Sequence, residues 1–249
     1  KNKIINKNVK LEYLEIRNIG GDDILFVLGR SFKAGSKQQL GYMYVMNIGS
    51  GSTLNGPQRS CWVQDHQLGH TTKKDKSISM TVSKNGTYFH FSRQGNIFSF
   101  KSKNWGDNLI CPINSPGKKQ ISILNSATGK ITNEETKAST TLTGLNPIYS
   151  IRASDDNDNI VYITSRNSHT LQKIQLDIPN GSYEILVTAG KRGSKTSGDP
   201  GTVTAANIKF DEPGRTNNKH IGQNLWVSSS TILATSKNGA IQYIDEDQF

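Results

Sequence analysis

Ile148-Tyr-Ser-Ile-Arg152, Ile160-Val-Tyr-Ile-Thr164, Leu171-Gln-Lys-Ile-Gln-Leu176 and Tyr183-Glu-Ile-Leu-Val187 are four short runs rich in β-branched and aromatic residues. Asp155-Asp-Asn-Asp-Asn159 separates the first two, and Arg166-Asn-Ser-His169 separates the second from the third. Apolar runs bounded by Asn, Asp and Ser read as strands joined by tight polar turns. Four in a row, each about 5–6 residues long, predict an antiparallel meander. Helical periodicity is nearly absent elsewhere, so the expected fold class is all-β.

The same phrase returns at Asn224-Leu-Trp-Val227, Thr231-Ile-Leu-Ala-Thr235 and Ala240-Ile-Gln-Tyr-Ile244. It also occurs at Ile78-Ser-Met-Thr-Val82, Thr87-Tyr-Phe-His-Phe91 and Asn96-Ile-Phe-Ser-Phe100, and over residues 11–16, 23–28 and 40–46. Ser-Lys-Asn-Gly stands between strands twice, at 83–86 and 236–239, where Asn-Gly suits the positive φ angles of a tight hairpin. Repetition at a long period decides a fold before any single element does. Each such sheet has two faces to bury, and copies packed radially about an axis bury both. The expected architecture is a β-propeller of four-stranded antiparallel blades.

Four blades are visible, with aromatic strands near Phe26, Phe89 and Tyr162 and a matching strand at Ile232. A ring of five or six blades is expected: either the loops between blades are long, or residues 119–143 hold a degenerate blade. Residues 1–249 read as one domain. The run 9–16 is expected to supply the missing outer strand of the C-terminal blade, closing the ring and removing an exposed edge.

A chain of 249 residues and 27.4 kDa suits one all-β domain of this kind. Its 33% hydrophobic content, with 23 glycines beside it, is enough for a buried core and excludes a mostly disordered chain. The longest uncharged apolar runs, 24–28 and 42–46, fall far short of the ~20 residues of a membrane-spanning helix. Thirty Lys and Arg against 20 Asp and Glu give a formal charge of +10, which favours acidic partners such as nucleic acid. A coding bias towards Lys and Asn produces the same surplus. The start at Lys1-Asn2-Lys3, without initiator Met or apolar leader, is that expected of a processed chain.

Residues 159–244 resemble the NHL-repeat family of propellers. Carrying the resemblance are Asn159-Ile-Val-Tyr-Ile-Thr-Ser-Arg-Asn-Ser-His-Thr-Leu-Gln-Lys-Ile174, Thr188-Ala-Gly-Lys-Arg-Gly193, Ser197-Gly-Asp-Pro-Gly-Thr202 and Thr204-Ala-Ala-Asn-Ile-Lys-Phe210. The order is a strand with a small polar turn, a Lys-Ile strand, an Ala-Gly turn, then a Gly/Asp-rich loop ending in an Ala-Ala phrase. The resemblance covers roughly a third of the chain; the first half lacks both the Ala-Gly turn and the Gly/Asp loop. It implies the propeller fold and a range of functions: RNA binding, protein binding, envelope proteins and a few metal-dependent lyases.

Motifs for chemistry are sparse. His66 and His70 have the i, i+4 spacing of a helical zinc pair, but Gly69 and the following Thr71-Thr72-Lys73-Lys74 mark a loop. His90, His169 and His220 are isolated. Asp155, Asp156 and Asp158 offer oxygen ligands to calcium, yet they lack the twelve-residue loop of an EF-hand and sit where a turn is required. No Gly-x-Ser-x-Gly, activated cysteine or phosphate-cradling loop occurs, so no catalytic residue and no cofactor are expected. Cys61 and Cys111 form either one bridge or two buried thiols. Lys191, Arg192, Lys195, Arg215 and Lys219, with Trp62 or Trp105, would make a phosphate-binding and stacking surface if gathered on one rim.

The leading expectation is a non-enzymatic scaffold that docks a protein partner through rim loops 58–75, 104–119 and 191–219 in a larger, extracytoplasmic or cell-envelope assembly. Two alternatives stand beside it: a propeller binding single-stranded RNA through its basic loops, and a metal-dependent lyase or hydrolase with its site at the ring centre.

Overall fold

The computed structural model describes residues 9–32, 39–49, 59–65, 79–93, 95–104, 110–112, 120–165, 170–189, 225–228, 231–235 and 241–245. Gly20 and Gly21, with φ of 64° and 91°, make the two-residue turn that folds β1 (Val9–Ile19) back on β2 (Asp22–Phe32). Positive φ at both central positions matches the twist of the paired strands. β3 (Gln39–Gly49) and β4 (Arg59–Asp65) follow in order, completing a four-stranded meander. Residues 9–16 thus begin the first sheet, paired along β2.

The second sheet begins with β5 (Ser79–Val82), β6 (Tyr88–Arg93) and β7 (Asn96–Asn104). The turn at 83–86 differs from the expected hairpin: of Asn85 and Gly86 only Gly86 has positive φ, at 70°. The Ser83 hydroxyl, accepting the Tyr88 amide at 3.0 Å, fixes the longer connection instead. β7 then forks. Its outer half pairs with the three-residue β8 (Ile110–Pro112), and its first half with β9 (Ser122–Asn125). β10 (Lys130–Asn133) and β11 (Ser139–Thr141) continue outward from β9. The strands within residues 120–143 therefore do not stand as a separate, degenerate blade; they widen the second sheet.

The third sheet is β12 (Ile148–Ala153), β13 (Ile160–Ser165), β14 (Leu171–Asp177) and β15 (Ser182–Ala189), the meander read from the sequence. The fourth is β16 (Leu225–Ser228), β17 (Thr231–Thr235) and β18 (Ile241–Asp245). All pairings are antiparallel, and the described residues contain no helix.

Alternation along the strands gives the second sheet two apolar faces, and each is covered by a neighbour. Met80, Val82, Phe89, Phe91 and Phe100 pack with Ile24, Phe26 and Val45 of the first sheet. Phe26 meets Phe89 edge to face at 5.5 Å, the favoured geometry for aromatic quadrupoles. On the opposite face, Ile97, Leu124 and Ile131 pack with Ile151, Val161, Ile163 and Ile174 of the third sheet. Each fully buried Phe or Ile contributes on the order of 1.5–3 kcal/mol. Asn133 adds a polar tie, its amide donating to Ile178 O at 2.8 Å. The first strand of each sheet lies against that of the next: β1 on β5, β5 on β12, β12 on β16. Successive meanders packed face to face with adjoining inner strands are the blades of a β-propeller.

Candidate functional site

The inner strands converge on Glu15. Its position follows from β1, where a bulge at Glu12 shifts the register between Leu11 and Tyr13. After the bulge, Leu14 and Ile16 face outward and Glu15 and Arg17 face the neighbouring sheets. Glu15 Oε1 accepts from Arg17 Nε at 2.9 Å and from Thr81 Oγ1 of β5 at 3.3 Å, and lies 2.8 Å from Arg152 Nη1 of β12. Arg17 also donates to the carbonyls of Ala153 (2.9 Å) and Ser154 (3.3 Å) and pairs with Asp155. Hydroxyls complete the seam: Thr81 Oγ1 accepts the Ala153 amide at 2.8 Å, and Ser79 Oγ the Ile151 amide at 2.7 Å.

Glu15 is fully buried, and its second oxygen, Oε2, accepts no hydrogen bond among the described residues. Burial pushes its carboxyl above the usual carboxylate range, against the pull of Arg152, Arg17 and the Thr81 hydroxyl. Two guanidinium groups already occupy the two carboxylates, Glu15 and Asp155, so this cluster does not offer a metal site. Its geometry is that of a clamp, one carboxylate bridging three inner strands.

His90 of β6 is the other buried ionisable group of note. It stands opposite Ser99 on β7, and Nδ1 lies 2.9 Å from the Ser99 hydroxyl. Burial pushes the imidazole down to about 4; Asp158 opposes that shift and Arg17 assists it. The ring is therefore neutral at pH 7.

The candidates named from sequence separate clearly. Asp155, Asp156 and Asp158 lie in the β12–β13 turn, as expected of turn residues. Asp155 turns to Arg17, Asp158 Oδ1 accepts the Asn85 amide at 2.7 Å, and the Asp156 carbonyl accepts Lys84 Nζ at 3.0 Å. The three carboxylates do not converge; their turn locks onto the Ser-Lys-Asn-Gly turn of the second sheet. No group of three His, Cys, Asp or Glu gathers in metal-binding geometry among the described residues. Trp62 lies on β4 opposite Tyr44. His66, His70, Trp105, Lys191, Arg192, Lys195, Arg215 and Lys219 lie outside the described residues. Sequence reasoning missed Glu15, Arg17, Thr81 and Arg152. The one available signal was the charge alternation Glu15/Arg17 on an apolar strand, which reads equally well as a solvated face.

No protein-family model matches the chain, and no curated protein matches it in sequence. Among solved structures, it is similar to AztD from Citrobacter koseri at 12% identity, over 96% of this chain and 69% of that one, with a TM-score of 0.37. A 6-phosphogluconolactonase-like protein from Bacteroides fragilis matches at 11% identity over 94% and 83% of the two chains, TM-score 0.35. The β-propeller domain of Cps50 (Swd1) from Myceliophteria thermophila matches at 9% identity over 95% and 89%, TM-score 0.33. Likeness at this level carries nothing about activity. The propeller fold rests on the strand order and sheet packing themselves.

Proposed function

We propose that the chain is a non-enzymatic propeller scaffold that docks a protein partner through loops 58–75, 104–119 and 191–219, within an extracytoplasmic or cell-envelope assembly. One observation carries this reading: the buried polar groups at the described centre are committed to joining β1, β5 and β12. A frame tied this way presents variable loops without disturbing its core. Only 191–219 of the three lies wholly between sheets, within residues 190–224 that separate β15 from β16; 58–75 includes β4, and 104–119 includes β8, so these two differ from the pure loops expected from the sequence. The NHL-like order of residues 159–244 supports the same placement. Residues 1–249 are taken as one domain whose ring closes between residues 9–16 and the C-terminal sheet. Among the described residues, β18 is left as the edge of the fourth sheet that such a strand would extend, while β1 stands at the inner edge of the first sheet, paired with β2.

The test is affinity capture from the native source with the full chain and with a chain shortened within 191–219. A partner held by the first and lost by the second, at unchanged melting temperature, is the expected result. Equal retention by both removes the proposed docking loop.

Binding of single-stranded RNA is the second reading. It is favoured by the formal charge of +10 and by five basic residues, Lys191, Arg192, Lys195, Arg215 and Lys219, between β15 and β16. Oligonucleotide affinity would then fall steeply between 50 and 200 mM salt, by about a thousandfold for some six phosphate contacts. A flat salt response removes it.

A further inference from the structure

The inner ends of the first two sheets are held by Glu15, but the perimeter is held differently. β8 is only three residues long and pairs with β7 alone, through Ser102, Lys103 and Asn104. Such a strand has little pairing to keep it in place. Across from it lies β4, the outermost strand of the first sheet, which approaches β8 within 8 Å from Cα to Cα. Cys111 is the central residue of β8, so every approach of β4 falls within one residue of it. Cys61 sits in β4, opposite Val45. These are the two cysteines of the chain, and the topology brings both to one perimeter seam.

We propose that Cys61 and Cys111 form a disulfide that staples β8 and the second sheet to the outer edge of the first. A disulfide needs Cα atoms about 4.4–6.8 Å apart, and strands already within 8 Å can supply that spacing with a small shift. The bond forms by exchange with a low-molecular-weight disulfide such as oxidised glutathione. One cysteine thiolate attacks that disulfide and releases one thiol. The second cysteine then attacks the mixed disulfide and releases the other. Two protein thiols are oxidised to one S–S bond, and one small disulfide is reduced to two thiols. The cross-link spans 50 residues of chain (111 − 61). Its chief effect is to restrict the unfolded state, with removal lowering the melting temperature by roughly 10 °C.

The experiment is intact-mass measurement on the full chain after equilibration in a glutathione redox buffer, with unfolding and alkylation before any reductant. The expected product carries no alkyl group and lies about 2 Da below the reduced chain, the mass of the two hydrogens lost. Reductant should then lower the melting temperature by roughly 10 °C in the wild type, and Cys111→Ser should show the lower value without reductant. If that variant does not fold, the wild type with and without reductant gives the same reading. Two alkylated thiols, a retained glutathione adduct or a disulfide-linked dimer each overturn the proposal. No partner enters the measurement, so its failure leaves the docking reading standing, and the reverse holds too.

Discussion

His90 shows how one buried side chain sets a pH response. The imidazole is held neutral because charging it in the core would forfeit its hydration. Its folded value of about 4 lies below the ordinary 6.5. As pH falls below 6.5, the unfolded chain takes up a proton that the native chain refuses. Stability contributed at neutral pH is therefore lost on the way down to about 4, and it levels off below that. The full loss is about 3 kcal/mol, from ~1.4 kcal/mol for each unit of displacement. Glu15, raised rather than lowered, runs the other way, since protonation relieves its burial as pH falls. The two effects oppose each other in the wild type. The informative quantity is the difference between wild type and His90→Gln in urea unfolding at pH 7, 5.5 and 4.5. Wild type should lose more stability than the variant on acidification; parallel losses would show that His90 is not neutralised by burial.

The strands differ in how much of them could be read. Those of the third sheet were legible because each apolar run is cut by its own turn, and the β12–β13 turn is fixed locally: Ser154 Oγ accepts the Asp156 and Asn157 amides, and Asn157 Oδ1 accepts that of Asn159. β1 was harder. Its bulge at Glu12 reverses which parity faces the core, so Glu15 and Arg17 turn inward and Leu14 and Ile16 outward, against the usual amphipathic reading. The outward extension through β9 to β11 was illegible for another reason: the pairing of Ile97 with Leu124 is a long-range choice that periodicity does not encode. The clamp inherits the first difficulty, because it exists only once β1, β5 and β12 adjoin. Replacing Glu15 with Ala would leave Arg17 and Arg152 facing each other without their shared carboxylate. Breaking a buried ion pair from one side is expected to destabilise by about 3–5 kcal/mol. Urea unfolding of Glu15→Ala measures this, and a loss below about 1 kcal/mol would mean the clamp does not tie the inner strands.

For the whole molecule, the order of packing leaves the first sheet with two unlike faces. One carries Ile24, Phe26 and Val45 into the core shared with the second sheet. The other carries Leu14 and Ile16, which are 59% and 51% exposed, beside the half-buried Leu25 and Met46. An apolar patch on an edge strand of a sheet invites association between molecules. Exposed side chains contribute little to folding, because they are hydrated before and after it. Leu14→Thr combined with Ile16→Thr keeps β1 in residues suited to a strand while removing the patch. The double variant should change the unfolding free energy by less than about 1 kcal/mol, and it should reduce concentration-dependent light scattering and binding of a hydrophobic dye. A loss of several kcal/mol with unchanged scattering would place this face inside the fold, packed against another part of the ring.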